Sequence, residues 1–304
     1  MPKVKKMPKD GPVDFFLHTP RMRVAINRDL QLLENQLPYA LLQKLFEKTG
    51  LQNVTNEEYT DNDPFLILYL EFFLYRKPYV FPNPKYQIQH FTDLRRHLLL
   101  KNFRPEKETG EMKDLPIAPI ATKLHRSGVK FKMGSEDQSS LKISCKDVKN
   151  AIRIPWIKEL ELQIPRFEVY DSTECLYRNM MALEQCHYPG ETHICDFIGL
   201  MDFLIDTVED VDLLVDEGII VNMLGDNAAI AKMFNNLCLQ INVNPSDSYN
   251  IRKKLKEHYD NPWNHTMATF KTVYFSDIWK GTATVAAVIL LVLTFIQTVF
   301  SIVK

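Results

Sequence analysis

GTATVAAVILLVLTFIQTVFSIV, residues 281–303, decides how the rest of the chain must be placed. No charged residue stands between Lys280 and Lys304, and 284–296 is almost unbroken Val, Ala, Ile and Leu. As a helix the stretch rises about 34 Å at roughly 1.5 Å per residue, enough to cross a hydrocarbon core about 30 Å thick. A buried helix of a soluble domain would have a shorter run or a charged face, so 281–303 reads as a transmembrane helix. Trp279 and Lys280 stand where the membrane interface would fall. Ala283, Ala287, Leu290, Thr294, Gln297 and Ser301 recur at spacings of four and three. That puts the small and polar residues on one stripe, where a second helix could approach closely and bond Gln297; otherwise Gln297 reaches headgroups and water.

The other end bears on orientation. The start carries Lys3, Lys5, Lys6 and Lys9 but continues into Asp10-Gly-Pro instead of an apolar stretch with a cleavage site, so it is not a secretory signal. The expectation is a tail-anchored, single-pass protein with the bulk of the chain in the cytosol, at the plasma membrane or the endoplasmic reticulum. Five cysteines without regular spacing suit reduced thiols. The glycosylation sequons at Asn53 and Asn264 are then chance matches. The 304 residues give room for a large core, with one compact body as the default. Lys plus Arg (37) and Asp plus Glu (38) nearly cancel, so no global field draws nucleic acid.

In front of the anchor the pattern is mostly helical. Residues 1–27 read as a poorly ordered basic leader and 28–261 as a helical globular domain. Leu30, Leu33, Leu37, Leu41 and Leu45 form a stripe at helical spacing, with Pro38 kinking or restarting the helix. Such a stripe is a core face or a partner-binding face; the core reading is preferred. Residues 65–75, the most apolar run outside the anchor, should be a core helix packed against it. Helices are expected near 93–101 and 119–127. The alternation Gly128-Val-Lys-Phe-Lys-Met133, a second run at 141–145 and a Pro-containing third at 151–157 predict a small antiparallel sheet around 128–157. Further helices are expected at 173–186, 194–206, 208–217 closed by Gly218, 226–241 and 246–259. A juxtamembrane helix over 262–280 should dock Trp263, Met267, Phe270, Tyr274 and Ile278 on the soluble domain. The fold class is therefore mostly α, with a small sheet insert.

Chemistry-bearing constellations are few. Cys186-His187 and His193-x-Cys195 offer zinc-type donors, but the spacing fits no ligand pattern and Pro189-Gly190 reads as a helix–helix turn. The acidic run of Asp202, Asp206, Glu209, Asp210, Asp212, Asp216 and Glu217 lacks a calcium loop; it suits a solvated helix face or a basic protein partner. No phosphate loop, dinucleotide fingerprint, nucleophile elbow or His-Glu-x-x-His is present. No catalytic, cofactor or metal residue is assigned, and no cofactor is expected.

Several motifs together resemble the plant domain-of-unknown-function 247 family of membrane-associated proteins. They are Leu33-Glu-Asn-Gln-Leu-Pro38, Gly128-Val-Lys-Phe-Lys132, Ile164-Pro165, Glu184-Gln-Cys186, Met201-Asp-Phe-Leu-Ile205, Glu209-Asp-Val-Asp-Leu-Leu214, Gly218-Ile-Ile-Val-Asn222 and Phe234-Asn-Asn-Leu237, followed by the C-terminal span. The resemblance covers roughly 29–304. It implies no established enzymatic activity, and the tie of some grass members to pollen-side self-incompatibility implies recognition. Relatives usually carry a substantial region ahead of Leu33-Glu-Asn-Gln-Leu-Pro38, so this chain, shortened there, should expose apolar surface that they cover. The expected function is a membrane-anchored protein-interaction or recognition module, with a protein partner or a homo-oligomer formed through the transmembrane helix. The alternative is a membrane-tethered enzyme whose site is assembled from dispersed residues.

Overall fold

A computed structural model describes residues 19–50, 63–74, 87–101, 103–104, 117, 119–135, 140–148, 159–239, 241, 248–264, 266 and 278–303. In chain order the elements are α1 (Pro20–Asp29), a 3-10 turn (Leu33–Asn35), α2 (Tyr39–Lys48), α3 (Pro64–Leu74), α4 (Phe91–Leu99), α5 (Ala121–Arg126), β1 (Val129–Met133), β2 (Ser144–Val148), β3 (Glu159–Ile164) and β4 (Phe167–Val169). There follow α6 (Thr173–His187), α7 (His193–Leu204), α8 (Val208–Asp216), β5 (Ile220–Asn222), α9 (Asn227–Leu237), α10 (Tyr249–Asp260) and α11 (Ile278–Val303). The protein is mostly helical, as its periodicity predicts. Helix begins earlier than expected, because Pro20 at the first turn of α1 starts it inside the stretch read as a leader.

Two compact units divide the chain, one of Met1–Lys101 with Asp171–Ile194 and one of Asn102–Tyr170 with Cys195–Lys304. The sequence reading treated 28–261 as one body. In the first unit Tyr39, Phe65, Leu66, Tyr69, Leu70, Phe73 and Leu94 form an aromatic-rich core, with Leu42, Phe46 and Phe91 packed against it. Phe91 lies 5.0 Å from Tyr69 and 5.3 Å from Phe73, centroid to centroid. Of the leucine stripe Leu30 packs against this core, and Leu37, Leu41 and Leu45 do not. Pro38 is the N-cap that restarts the helix, and Tyr39, Leu42 and Phe46 then turn inward. Leu37, Leu41 and Leu45 are 55%, 46% and 52% exposed. Only Leu41 and Leu45 of the stripe fall in an α-helix, Leu33 lying in the 3-10 turn, and aromatic side chains on the neighbouring face of α2 bury more area per residue than leucine does.

The second unit holds both sheets. In the first, the strand order is β1-β3-β2, with β1 parallel and β2 antiparallel to the central β3. The expected antiparallel sheet at 128–157 is therefore corrected to a mixed one. β2 falls at 144–148 and the central strand at 159–164, while 149–158 lies outside the described residues. β3 is central because Leu160, Leu162 and Ile164 are buried on one face while Glu161 and Gln163 bind lysines on the other. A second, parallel pair joins β4 to β5. Gly218, at φ 71°, ends α8 in the left-handed region and releases Ile219 and Ile220 into that pair. Phe167 of β4 packs on Phe197 of α7 and Phe234 of α9.

Candidate functional site

α11 carries the residues that the sequence singled out. Its backbone is helical for 26 residues, and its side chains are described without a break over 289–301. That run is about 20 Å long at 1.5 Å per residue. Among the described residues no helix is long and apolar enough to cross a membrane, so the span predicted at 281–303 does not follow from them. Leu291, Phe295 and Phe300 are each about 70% exposed. Ala287, Leu290, Thr294, Gln297 and Ser301 are exposed too. Thr294 and Thr298 donate to the carbonyls of Leu290 and Thr294, each at 2.7 Å, which satisfies both hydroxyls within the helix. The side chains of Trp279, Lys280 and Ala283 lie outside the described residues, as do Met267, Phe270 and Tyr274. Trp263, the first member of the stripe expected to dock, is 65% exposed.

The most organised polar cluster was not predicted from the sequence. It lies in the first unit, between α4 and the turn that leaves α6. His90 is the N-cap of α4: its Nδ1 accepts from the Asp93 amide at 3.2 Å, while the Asp93 carboxylate accepts from the Gln89 amide at 2.9 Å. One turn on, Arg96 is 2% exposed and its Nε donates to Glu184 Oε1 at 3.0 Å, both side chains being buried. Its Nη2 donates to the Glu191 carbonyl at 2.7 Å, and its guanidinium lies 4.0 Å from the Tyr188 ring centroid. Glu184 Oε2 takes the Ile194 amide at 2.9 Å. Tyr188 closes the circuit by donating to Asp93 Oδ1 at 2.8 Å.

The electrostatics follow from these contacts. Burial is the largest influence on Asp93 and acts to raise it, yet bonds from His97, Gln89 and Tyr188 together hold its carboxyl below the usual range. Its hydrogen bond with Asp93 raises His97 above its ordinary value, against a smaller opposing effect of burial. The acceptors and donors at the centre are spent on one another. Chemically the arrangement is a clamp, fixing the turn Tyr188-Pro-Gly-Glu191 to α4, and it includes Glu184 of the Glu184-Gln-Cys186 motif.

A second buried group occupies the other unit. Arg252 donates to the Gly199 carbonyl at 2.8 Å and stacks 4.7 Å from the Phe203 centroid. Burial first, then the neighbouring Asp202, push the Cys238 thiol up to about 12, which favours the protonated thiol. Asp210, fully buried in the acidic run, accepts from the Thr122 amide at 2.8 Å and from Thr207 at 3.0 Å, which makes it the N3 partner of the N-cap Thr207 in the capping box of α8. Asp206, Glu209, Asp212 and Asp216 are exposed. Among the described residues no three metal-binding side chains converge; Cys186 is exposed and Cys195 buried.

A helical chain with a small mixed sheet, an Arg–Glu clamp and an exposed apolar helix does not by itself name a function. The family, however, is plain: over residues 4–293 the chain matches the domain-of-unknown-function 247 family, described as plant protein of unknown function, and belongs to it. The match reaches well ahead of the Leu33-Glu-Asn-Gln-Leu-Pro38 motif. The chain is similar to a UPF0481 protein of Arabidopsis thaliana, 25% identical over 95% of this chain and 62% of the relative. A second UPF0481 protein of that plant is 26% identical over 59% of this chain and 32% of its own length. The chain thus spans less than two thirds of these relatives. No solved structure matches it.

Proposed function

We propose that the chain is a single-pass membrane protein, anchored by 281–303 with its body in the cytosol, that works by recognising other proteins and carries out no reaction itself. The observation that carries this reading is α11, a helix of 26 residues whose described side chains over 289–301 are apolar with few exceptions and all exposed. Water would leave that much apolar surface unfavourably hydrated, whereas lipid would cover it. Asn264 is buried and its amide bonds the His258 carbonyl at 2.8 Å, which suits a sequon that is never glycosylated. The five cysteines are free thiols, in keeping with a reducing compartment. The buried ionisable groups bond mainly to one another and to backbone, which favours binding over catalysis. Within the membrane, Ala283, Ala287, Thr294, Gln297 and Ser301 would form the face for a second helix.

The test is extraction. Leu291→Arg places a charge at the centre of the proposed span at a cost of about 3 kcal/mol. The variant should move from the carbonate-resistant pellet to the soluble fraction. If it pellets as the parent does, the helix is not the anchor. Crosslinking of the span with and without Gln297→Leu reads the association face, and an unchanged dimer fraction removes it.

A further inference from the structure

We propose that the corner from which the chain leaves the second unit for α11 lies on the bilayer surface, with Trp263 in the headgroup layer and exposed cations of α5 and α10 on anionic lipid phosphates. The inference deepens the membrane reading and rests on it. Hydrogen bonds through one ring build the corner. His258, buried near the end of α10, donates from Nε2 to the Ser127 carbonyl at 3.0 Å, and its Nδ1 accepts from the Asn264 amide at 3.2 Å. Asn264 donates to the His258 carbonyl as well, at 2.8 Å, and the Trp263 backbone amide is held by Asn261 Oδ1 at 3.0 Å. One imidazole thus ties the C-terminal end of α5 to the start of the segment that leads to α11. Arg126 and Trp263 are the immediate chain neighbours of the two residues it joins, and Lys254 stands one turn before it on α10.

What surrounds these fixed groups is open to solvent. Ser127, His258 and Asn264 are buried, yet Trp263 beside them is 65% exposed. The membrane–water interface accepts both the apolar body of a tryptophan and its N–H, which water alone does not. His125 and Arg126 on α5 and Lys253 and Lys254 on α10 are exposed too. Lys256 is already matched by Asp260 at 2.6 Å, whereas Arg126, Lys253 and Lys254 pair with no carboxylate among the described residues. Glu257 is the exposed acid that stands against them on α10. Charge therefore favours the anionic cytoplasmic leaflet, whose potential draws lysine and arginine within about a Debye length, roughly 8–10 Å. The chain's reach keeps that surface close. Ile278 follows Asn264 by 14 positions, so even at the about 3.5 Å per residue of a fully extended chain the corner stays within about 49 Å of α11.

The experiment is tryptophan quenching in the full chain reconstituted into lipid nanodiscs. Trp156→Phe and Trp279→Phe leave Trp263 as the one fluorophore of the three tryptophans. The discs hold phosphatidylcholine brominated at the headgroup end of its acyl chains, with about 30% phosphatidylserine to supply the anionic potential. Trp263 emission should fall by about twofold or more relative to discs of unbrominated lipid, as for a ring in the interface. Arg126→Glu with Lys254→Glu alters two exposed side chains and should remove most of that quenching, as should omitting phosphatidylserine. Emission that bromine leaves unchanged while the chain stays in the discs overturns the proposal and leaves the anchor standing. Quenching that neither the charge change nor the loss of phosphatidylserine reduces also overturns it, because the tether alone would then bring the ring to lipid. A chain that does not enter the discs overturns the anchor and this proposal together.

Discussion

Replacing Arg96 by Met tests whether the clamp holds the first unit together. The methionine fills a similar volume but removes the 3.0 Å bond to Glu184, the 2.7 Å bond to the Glu191 carbonyl and the cation lying 4.0 Å from Tyr188. Glu184, fully buried, keeps the Ile194 amide at 2.9 Å. Taking one partner from a buried ion pair costs about 3–5 kcal/mol, because the remaining charge stays desolvated. The aromatic contact lies within that figure and is not added to it. Against the 5–15 kcal/mol that holds a typical domain together, roughly a fifth of the stability or more goes. Converting both partners, Arg96→Met with Glu184→Leu, removes the stranded charge. It leaves the Ile194 amide without its acceptor, a residual cost of about 1–3 kcal/mol. The double variant should therefore be more stable than either single one. Denaturant unfolding of the full chain in detergent gives the free energies, and hydrogen exchange in α4 and α6 localises the loss. A cost under about 1 kcal/mol for Arg96→Met, or a double variant no better than the singles, would refute this account of the clamp.

Other outcomes follow from the same contacts. His97 is raised by its bond to Asp93, so its contribution is whole below its unfolded value of 6.5 and is lost as pH climbs through the higher folded value. Asp93 is held low, so its contribution is whole above 3.8 and is lost as pH falls through the lower folded value; stability at α4 should peak between about 4 and 6.5. His97→Gln should flatten the alkaline side of that profile, and matching slopes between pH 6 and 8 for parent and variant would count against it. Leu41→Ser and Leu45→Ser should each change unfolding free energy by no more than about 0.5 kcal/mol, whereas Leu66→Ala, in the core, should cost about 2–5 kcal/mol. The reverse order would restore the leucine stripe to the core. Gly218→Ala meets no atom within 4 Å, so only its left-handed backbone resists, and urea titration should show a loss of about 1–2 kcal/mol.

Helix positions were largely legible in the sequence because their signals are local. The periodicity ending at Gly218 placed α8 to within a residue, and the Cys186 run placed α6 equally well. Sheet pairing was not legible. Lys130 alternates with Val129 and Phe131 in any register, and nothing in 128–133 announces that its neighbour is β3, thirty residues on and parallel. The short Ile220–Asn222 strand was missed because it lies in the shadow of the Gly218 helix stop, with too few residues to establish a period of two. The leucine stripe shows a subtler limit. Leu41 and Leu42 are adjacent and equally apolar, and they differ only in which of them Tyr39 and Phe46 accompany inward.

The clamp was illegible for a different reason. Arginine and glutamate are the residues that composition assigns to the surface, and Arg96 and Glu184 stand 88 positions apart. Each looked like an ordinary charge on the polar side of an amphipathic helix. What makes them a pair is that the α6–α7 turn brings two backbone groups against them, the Glu191 carbonyl and the Ile194 amide, the latter where water cannot reach it. Buried backbone groups must be satisfied, and a guanidinium and a carboxylate satisfy one of each while neutralising each other. The resemblance did single out Glu184-Gln-Cys186, and the structure supplies the physical reason for its glutamate. Apolar replacement of the pair would keep the helices packed but leave the buried Ile194 amide unmet, so the ion pair is retained for the backbone it serves.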